Sequence, residues 1–317
     1  MILVLRQRSQ ISNRLVALAA LTSFCIRHDI RVLVLSLSDY REMFEAGDRT
    51  HRITLLFLPL SLYRLLCRIV SNRFSRRILQ CCPGIHYLNE TRSWADLPPS
   101  TLQRGLWIID QAGDWCSSMP AISHAEAPVI RKIFRYREQY HQQAYSVYTD
   151  ARAKSSILIG IHARRGDYSR HRGGVWHYNE GDYLDWIEQA KHEFWHADEG
   201  RIHFLICSNE PGFLQAASSD SLTISPLSDG PADQLLLSLC DVIIGPPSTF
   251  SVWAAFLTES RILHLFSRDQ RLSRSQLRES TLFYGWSPRL EQSLQPTRSR
   301  AQRVLTGLSR LIRLRRR

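Results

Sequence analysis

A short apolar run that ends abruptly in charged residues is the feature that most constrains the fold of this chain. Residues 157–161 read Ile-Leu-Ile-Gly-Ile, too short for a helix and rich in β-branched side chains. Such a run predicts a strand buried on both faces, as in a parallel sheet. His162, Arg164, Arg165 and Asp167 follow within six residues. Because ligands bind at the carboxyl ends of strands in open α/β sheets, we expect a binding site at this edge.

Two adjacent arginines at this edge predict an anion site. A guanidinium offers a planar fork of donors that matches a pair of phosphate oxygens. Gly166 permits a tight turn, Asp167 can hold one guanidinium, and His162 can donate to a ribose or phosphate oxygen. The alternative is an ordinary surface ion pair, worth about 0–1 kcal/mol. The local sequence leaves both interpretations open.

Two motifs resemble those of a known enzyme family. Residues 162–168 read His-Ala-Arg-Arg-Gly-Asp-Tyr, similar to the His-x-Arg-Arg-Gly-Asp-Tyr motif of the α1,2-fucosyltransferases. Residues 233–257 resemble that family's later motif, in which an acidic helix start leads through a strand to Ser-Thr-Phe and a helix containing Trp. The motifs stand in the family's order, about seventy residues apart, and the resemblance covers residues 155–266 well.

The resemblance implies a site for the sugar nucleotide GDP-L-fucose. It implies that Arg164 is the catalytic arginine and that Asp233 accepts hydrogen bonds from the guanine edge of the nucleotide. The alternative for Asp233 is a helix cap, worth about 1 kcal/mol. Free amides and hydroxyls where residues 248–251 open a helix suit a diphosphate. We predict Arg164 and Asp167 as catalytic residues. The predicted donor-binding residues are Asn13, His162, Arg164, Arg165, Ser208, Asp233, Ser248, Thr249, Phe250 and Ser251.

Composition narrows the functional classes. With 317 residues, 44% of them hydrophobic, the chain can form one large or two medium domains with real cores. Seven Cys without framework spacing argue against a disulfide scaffold and favour a reducing, cytoplasmic location. The sequence has no C-x-x-C pair, no His cluster at ligand spacing and no Asp-x-Asp suited to a metal-held diphosphate. We therefore expect neither a metal nor another cofactor beside the co-substrate.

The positive charge is concentrated at one end of the chain. The formal net charge is +12, and residues 298–317 hold eight Arg and no acid, which leaves +4 for the rest. This distribution argues against nucleic-acid binding by the whole protein. The apolar residues of 298–317 share one helical face, which predicts a basic amphipathic helix. That helix either docks on the protein or makes peripheral contact with an anionic membrane. For a cytoplasmic protein, the contact would be with the inner face of the membrane.

A second apolar segment, residues 53–70, is too short to span a bilayer. Arg64 and Arg68 interrupt it, and its uninterrupted part is well below the ~20 residues that a spanning helix requires. We interpret it as a buried helix, with an interfacial helix as the alternative.

The start of the chain predicts a β-loop-α-β unit. Residues 1–6 and 31–37 read as strands, and residues 13–28 have helical spacing. In the fucosyltransferases the loop that corresponds to residues 7–12 is usually Gly-rich and contains a Gly-Asn pair, and only Asn13 carries over. Asn13 is therefore either a donor-site residue or a simple helix cap.

Two acids of the first half are candidates for the acceptor side. Residues 106–110 read as a strand that ends in Asp110, and Asp114 follows. The position resembles the family's acceptor segment, while the alternative for each acid is an ordinary loop residue. Inversion at the sugar carbon needs a general base, for which Asp167 and Asp110 are the candidates.

The second half alternates strands with helices. After a helical stretch at 126–152, we predict strands at 157–161, 201–207, 222–225, 242–244 and 261–266, with helices at 182–195 and 234–240. Such alternation indicates a parallel, doubly wound sheet. We predict an α/β, GT-B-like fold of two Rossmann-like domains facing a cleft. The boundaries are 1–152 for an acceptor domain, 153–297 for a nucleotide-sugar domain and 298–317 for the basic tail.

Together these features predict an inverting glycosyltransferase. It would move L-fucose from GDP-L-fucose to a hydroxyl of an acceptor oligosaccharide or glycolipid, in an α1,2-type linkage. One alternative is a non-catalytic member of the same fold that binds a nucleotide or glycan, which the atypical loop at 7–12 favours. A more distant alternative is a basic protein, associated with membrane or nucleic acid, in which the tail matters most.

Overall fold

The structure is a computed structural model of the chain. It describes residues 1–7, 9–45, 49–50, 52–88, 94–112, 119–194 and 201–285. They belong to one compact unit, Met1–Trp286. The predicted basic helix at 298–317 lies outside the described residues.

The first half forms a six-stranded sheet in the order β3-β4-β2-β1-β6-β5. Its strands are β1 (Ile2–Gln7), β2 (Val32–Val34), β3 (Arg49–Thr50), β4 (Ile53–Leu55), β5 (Ile85–Leu88) and β6 (Leu106–Ala112). All neighbours are parallel except the short pair β3 and β4. The apolar run of β1 is buried along most of its length, as a central parallel strand requires.

Six α-helices lie between β1 and β7 (Ile157–Ala163) in the described chain. They are α1 (Ile11–Arg27), α2 (Leu60–Ser71), α3 (Arg73–Cys81), α4 (Pro99–Leu102), α5 (Ala127–Ile133) and α6 (Glu138–Arg152). Helix α1 begins two residues before the predicted start, so Asn13 lies in its first turn and is not its cap. The predicted helical stretch 126–152 is two helices, α5 and α6.

The prediction of one buried helix over residues 53–70 is wrong. The segment divides at Pro59, so that its beginning pairs with β2 as strand β4 and only its later part forms α2. Proline lacks the N–H that a helix interior needs, so it marks the helix start. Within α2 only Tyr63, Cys67 and Val70 are buried. No helix in the described ranges is long and apolar enough to cross a membrane.

The second half forms a five-stranded, fully parallel sheet in the order β11-β10-β7-β8-β9. Its strands are β7 (Ile157–Ala163), β8 (Ile202–Ser208), β9 (Leu222–Ile224), β10 (Val242–Gly245) and β11 (Arg261–His264). Its helices are α7 (Glu180–Phe194), α8 (Gly230–Ser238) and α9 (Thr249–Thr258). The strand that carries the arginine motif, β7, is central, as its apolar run predicts.

The two sheets confirm the predicted α/β, GT-B-like fold class, whereas the domain boundaries remain a prediction. The cysteines that the structure describes are free thiols.

A close approach between β10 and β7 shapes the edge where the site lies. A Cβ on Gly245 would stand 2.6 Å from the carbonyl oxygen of His162, so only glycine fits there. Helix α9 starts four residues after Gly245, and this approach therefore brings its N-terminus beside the end of β7.

Candidate functional site

A cavity of about 240 Å³ lies at the carboxyl ends of β7 and β8. The starts of α8 and α9 complete its wall. The lining residues are His162, Arg164, Cys207, Ser208, Asn209, Pro211, Ser228, Gly230, Asp233 and Phe250. Five predicted donor-binding residues are among them: His162, Arg164, Ser208, Asp233 and Phe250. The position agrees with the rule that ligands bind at the carboxyl ends of parallel strands.

Arg164 lines this cavity with part of its hydrogen-bonding capacity unused. Its Nη2 donates to Gln10 Oε1 at 2.8 Å and pairs with the Asp167 carboxylate at 2.9 Å. Its Nε is buried and has no hydrogen-bond partner within the described residues. Buried donors without a partner are rare in folded proteins. An anionic ligand in the cavity would supply the oxygen that this donor lacks.

Arg165 does not line the cavity, and its predicted contact with the donor remains a prediction. Its Nε pairs with Glu210 at 3.0 Å, and its Nη1 donates to the carbonyl oxygen of Tyr178. Its backbone N–H donates to Asn209 Oδ1 at 2.8 Å. The guanidinium also lies 4.7 Å from the centre of the Phe213 ring. Through these contacts Arg165 stabilises the loop after β7.

His162 is a buried, neutral imidazole at the end of β7. Its Nδ1 shares a hydrogen bond of 2.7 Å with Ser251 Oγ, and its ring stacks on Phe250 with the centroids 4.8 Å apart. Burial, together with the smaller effect of the charges of Arg164 and His264, lowers the pKa of His162 to about 3. Ser251, predicted to bind the donor, is itself buried and bonds to His162.

The lowered pKa of His162 predicts an acid-sensitive fold. An unfolded chain protonates this imidazole near its ordinary pKa of about 6.5, whereas the folded chain does so only near pH 3. The free energy of unfolding should therefore fall as the pH drops below 6.5, by up to about 1.4 kcal/mol per pH unit for this group. Urea unfolding at pH 7 and pH 5 measures the loss. His162→Gln should lessen the loss, and an unchanged pH dependence would contradict the assignment.

The start of α9 joins the two halves of the molecule. Ser248 is the N-cap of α9, and its side chain accepts from the N–H of Phe250 at 3.2 Å. Thr249 donates to Asn13 Oδ1 at 2.5 Å. Ser248, Thr249 and Asn13 therefore lie next to the cavity without lining it.

Asp233 forms the opposite wall of the cavity. It lies in the first turn of α8, whose N-cap is Asp229, so the interpretation of Asp233 as a cap is wrong. Its Oδ1 accepts from Ser225 Oγ at 2.5 Å, and it is 7% exposed. Burial raises the pKa of Asp233. A carboxylate in this setting can accept hydrogen bonds from adjacent N–H groups of a ligand.

Two glutamines that the sequence did not single out connect the halves. Gln10 contacts Arg164, and Gln234 donates to Ser12 Oγ at 3.1 Å and to the carbonyl oxygen of Phe250 at 2.9 Å. Gln10 lies in the loop that the family resemblance places at the site, and this is the signal that could have found it. Nothing in the sequence marks Gln234.

A larger cavity, of about 580 Å³, lies at the carboxyl end of β1. Its lining residues are Arg6, Gln7, Arg14, Asp39, Leu60, Tyr63, Arg64, Cys67, Arg68, Ser71 and Asn72. Asp39 pairs with Arg14 at 2.8 Å, and its side chain is 35% exposed. It is the carboxylate among these lining residues.

Asp110 does not suit the acceptor-side role. Its side chain is 1% exposed, and its two oxygens bond to Arg6 at 3.1 Å and to Ser71 Oγ at 2.8 Å. A carboxylate so enclosed cannot take a proton from a substrate hydroxyl, which corrects the prediction of Asp110 as a candidate base. Asp114 lies outside the described residues.

No cluster of three or more His, Cys, Asp or Glu side chains able to hold a metal ion occurs in the part of the chain that the structure describes. Metal-independence remains a prediction.

Comparison with known proteins identifies relatives of this chain. The model of the family described as Glycosyl transferase family 11 matches residues 118–287. Galactoside alpha-(1,2)-fucosyltransferase 2 of Oryctolagus cuniculus is 28% identical over 153 residues, which are 45% of this chain and 42% of that protein. The match thus spans less than half the length of this curated relative. The fucosyltransferase resemblance of the two motifs is confirmed.

Solved structures share the fold. Fucosyltransferase NodZ from Bradyrhizobium is 16% identical with a TM-score of 0.51, and the match covers 83% of this chain and 95% of that one. A mutant of Arabidopsis thaliana FUT1 in complex with GDP is 14% identical with a TM-score of 0.53, and the match covers 86% of this chain and 72% of that one. At these identities the likeness establishes the two-sheet architecture.

Proposed function

Because this chain belongs to glycosyl transferase family 11, we propose that it transfers L-fucose from GDP-L-fucose to a hydroxyl of an acceptor glycan. The observation that carries the proposal is the buried Nε of Arg164, which has no partner among the described residues and lies in a cavity whose far wall holds the Asp233 carboxylate. The name of the rabbit relative supports a galactoside acceptor and an α1,2 linkage, and we propose both for this chain.

The donor nucleotide fits the chemistry of the small cavity. Guanine presents two adjacent N–H groups, and the Asp233 carboxylate can accept a hydrogen bond from each of them. Its diphosphate would lie toward Arg164 and the start of α9, where a guanidinium fork and a helix N-terminus favour negative charge. Gln10 and Asp167 hold the Arg164 guanidinium in place from one side.

The proposed reaction inverts the sugar carbon. The acceptor oxygen attacks C1 of fucose, the bond from C1 to the β-phosphate oxygen breaks, and GDP leaves with that electron pair. Negative charge grows on the phosphate oxygen during the step, so a fixed guanidinium stabilises the transition state more than the bound donor. Asp167 lies 2.9 Å from Arg164, and we assign it the task of orienting that residue.

We place the acceptor in the larger cavity and propose Asp39 as the group that receives the proton of the attacking hydroxyl. Asp39→Asn should then lower kcat by about 10²-fold or more, since general bases contribute about 10²–10⁴-fold. GDP affinity should not change, because Asp39 does not line the donor cavity. Transfer kinetics and GDP titration measure the two effects. A variant that keeps wild-type kcat would remove Asp39 from this role.

Removing metal ions by chelation tests whether the Arg164 guanidinium, and not a metal ion, stabilises the leaving diphosphate. If Arg164 stabilises the leaving diphosphate, transfer should continue in excess EDTA at a rate within about twofold of the untreated enzyme. Product formation after dialysis against EDTA is the measurement. Activity that disappears and returns with manganese would show that a metal supplies the stabilisation.

A donor panel tests the function itself. Purified protein is incubated with a galactoside acceptor and with GDP-L-fucose, GDP-mannose or UDP-galactose, and product is identified by mass spectrometry. Of the three donors, we expect only GDP-L-fucose to give a glycosylated product. Tight GDP binding without transfer or donor hydrolysis would favour the non-catalytic alternative, which the absence of glycines from the loop at 7–12 supports.

The cellular setting stays part of the proposal. We propose a cytoplasmic enzyme that contacts the inner face of a membrane peripherally. The basic segment 298–317 supports this placement through its composition.

A further inference from the structure

The consecutive helices α2 and α3 expose large apolar side chains. On α2, Leu62, Leu65 and Ile69 are 48%, 51% and 49% exposed, and on α3, Phe74 and Ile78 are 73% and 52% exposed. We call these five residues the α2–α3 face. Seven of the twelve exposed large hydrophobic residues in the described chain lie between residues 56 and 78, so the exposure is concentrated in one place. Such patches mark interaction surfaces.

Helix α3 is well formed although it packs little against the body. The Asn72 side chain caps it by accepting from the N–H of Phe74 at 2.8 Å, yet none of its residues is buried. Packing therefore does not explain why Phe74 and Ile78 are apolar. A helix with apolar residues exposed on one side and arginines on the other is typical of segments that lie in a membrane interface.

The segment of the chain that carries this face has only positive charges. Residues 49–89 contain seven Arg and no Asp or Glu. Arg64, Arg68, Arg73 and Arg77 are exposed, and none has an ion-pair partner among the described residues. An anionic surface would satisfy these cations while apolar contacts cover the face.

We propose that the α2–α3 face docks on an anionic lipid bilayer, with its apolar side chains among the acyl chains and its arginines at the phosphates. The cations are spread along both helices and do not converge on one point. This spread matches the many phosphates of a bilayer better than a single acidic group on a protein partner. This contact is separate from any made by residues 298–317.

The contact has a consequence for the substrate, which rests on the proposed function. Arg64 and Arg68 of α2 line the cavity assigned to the acceptor. A bilayer beneath α2 would therefore bring a lipid-borne glycan to the mouth of that cavity.

A fluorophore at position 78 tests the docking. In full-length protein that carries Cys81→Ser, Cys82→Ser and Cys116→Ser, an environment-sensitive dye is attached at Ile78→Cys, or at Leu184→Cys on α7 as the control. Vesicles of phosphatidylglycerol and phosphatidylcholine should shift the emission of the dye at position 78 to the blue. Nitroxides on the acyl chains should quench it, and the control should show neither effect. Emission at position 78 that stays aqueous while the protein sediments with vesicles would overturn the proposal.

Substitutions provide the second readout. The pair Phe74→Ser and Ile78→Ser should weaken partition onto these vesicles by about tenfold or more, because both apolar contacts are lost. The pair Tyr145→Ser and Leu184→Ser, which removes exposed apolar residues elsewhere, should not. Equal partition of the two double variants would also overturn the proposal. Turnover of a soluble acceptor should be unchanged in both, so failure here is distinct from failure of the proposed function.

Discussion

Arg164→Lys should lower kcat/KM for fucosyl transfer by about 10²–10³-fold, the effect of removing one preorganised transition-state donor. A lysine ammonium is a point charge and cannot reproduce the guanidinium fork. Its nitrogen also cannot serve Gln10, Asp167 and a phosphate with the same geometry. Initial rates at varied GDP-L-fucose measure the loss, and turnover like the wild type would refute the role of Arg164.

The neighbouring arginine is the matched control for this variant. Arg165→Lys breaks contacts to Glu210, Tyr178 and Phe213, so it should act mainly on stability, by about 1–3 kcal/mol in urea unfolding. Arg164→Lys should change the unfolding midpoint much less, since the contacts of Arg164 Nη2 to Gln10 and Asp167 are exposed and exposed pairs contribute about 0–1 kcal/mol. If both variants lost activity and stability in parallel, the division of labour between the two arginines would be wrong.

Asp233→Asn should weaken GDP binding by about 10–100-fold, because hydrogen bonds to a charged group contribute about 1.5–3 kcal/mol. The variant replaces one acceptor oxygen with an N–H₂ group, which would face the N–H groups of guanine. Isothermal titration with GDP measures the loss. The affinity for UDP, which lacks a guanine edge, should be the same in the variant and in the wild type.

Asp229→Asn is the control for the base-recognition residue. Asp229 lies one turn earlier as the N-cap of α8, and its side chain makes no capping hydrogen bond and does not line the cavity. Its variant should bind GDP like the wild type. Equal weakening by both substitutions would indicate a general effect of charge and not recognition of guanine.

The sequence could predict the second sheet and the place of the site, because both depend on local patterns. The run at 157–161 appears as central strand β7, and the polar residues after it lie at the edge of the sheet where the cavity opens. The family motifs singled out Arg164 and Asp233, which both line the cavity, because Arg164 directly follows β7 and Asp233 lies in the first turn of α8.

Side-chain direction at the strand end could not be predicted. Arg164 and Arg165 are equivalent in composition and adjacent in sequence, yet Arg164 lines the cavity and Arg165 contacts Glu210. Neighbouring side chains at the end of a strand point to opposite sides, and the assignment of sides depends on the turn at Gly166. Contacts between distant segments were equally hidden, as with Gln10 and Arg164.

Burial in the first half was also beyond local patterns. The apolar composition of residues 53–70 indicated a buried helix, while Pro59 divides the segment and much of α2 faces outward. The sequence made Asp110, at the end of a predicted strand, a candidate acceptor-side acid, but the tertiary fold places Arg6 and Ser71 on its two oxygens.

The crystal structure of the protein in complex with GDP tests the central claim most directly. We predict guanine N–H groups on the Asp233 carboxylate and a β-phosphate oxygen within about 3 Å of Arg164, a normal hydrogen-bond distance. GDP bound outside the cavity at the ends of β7 and β8, or inside it with no phosphate oxygen on Arg164, would contradict the account.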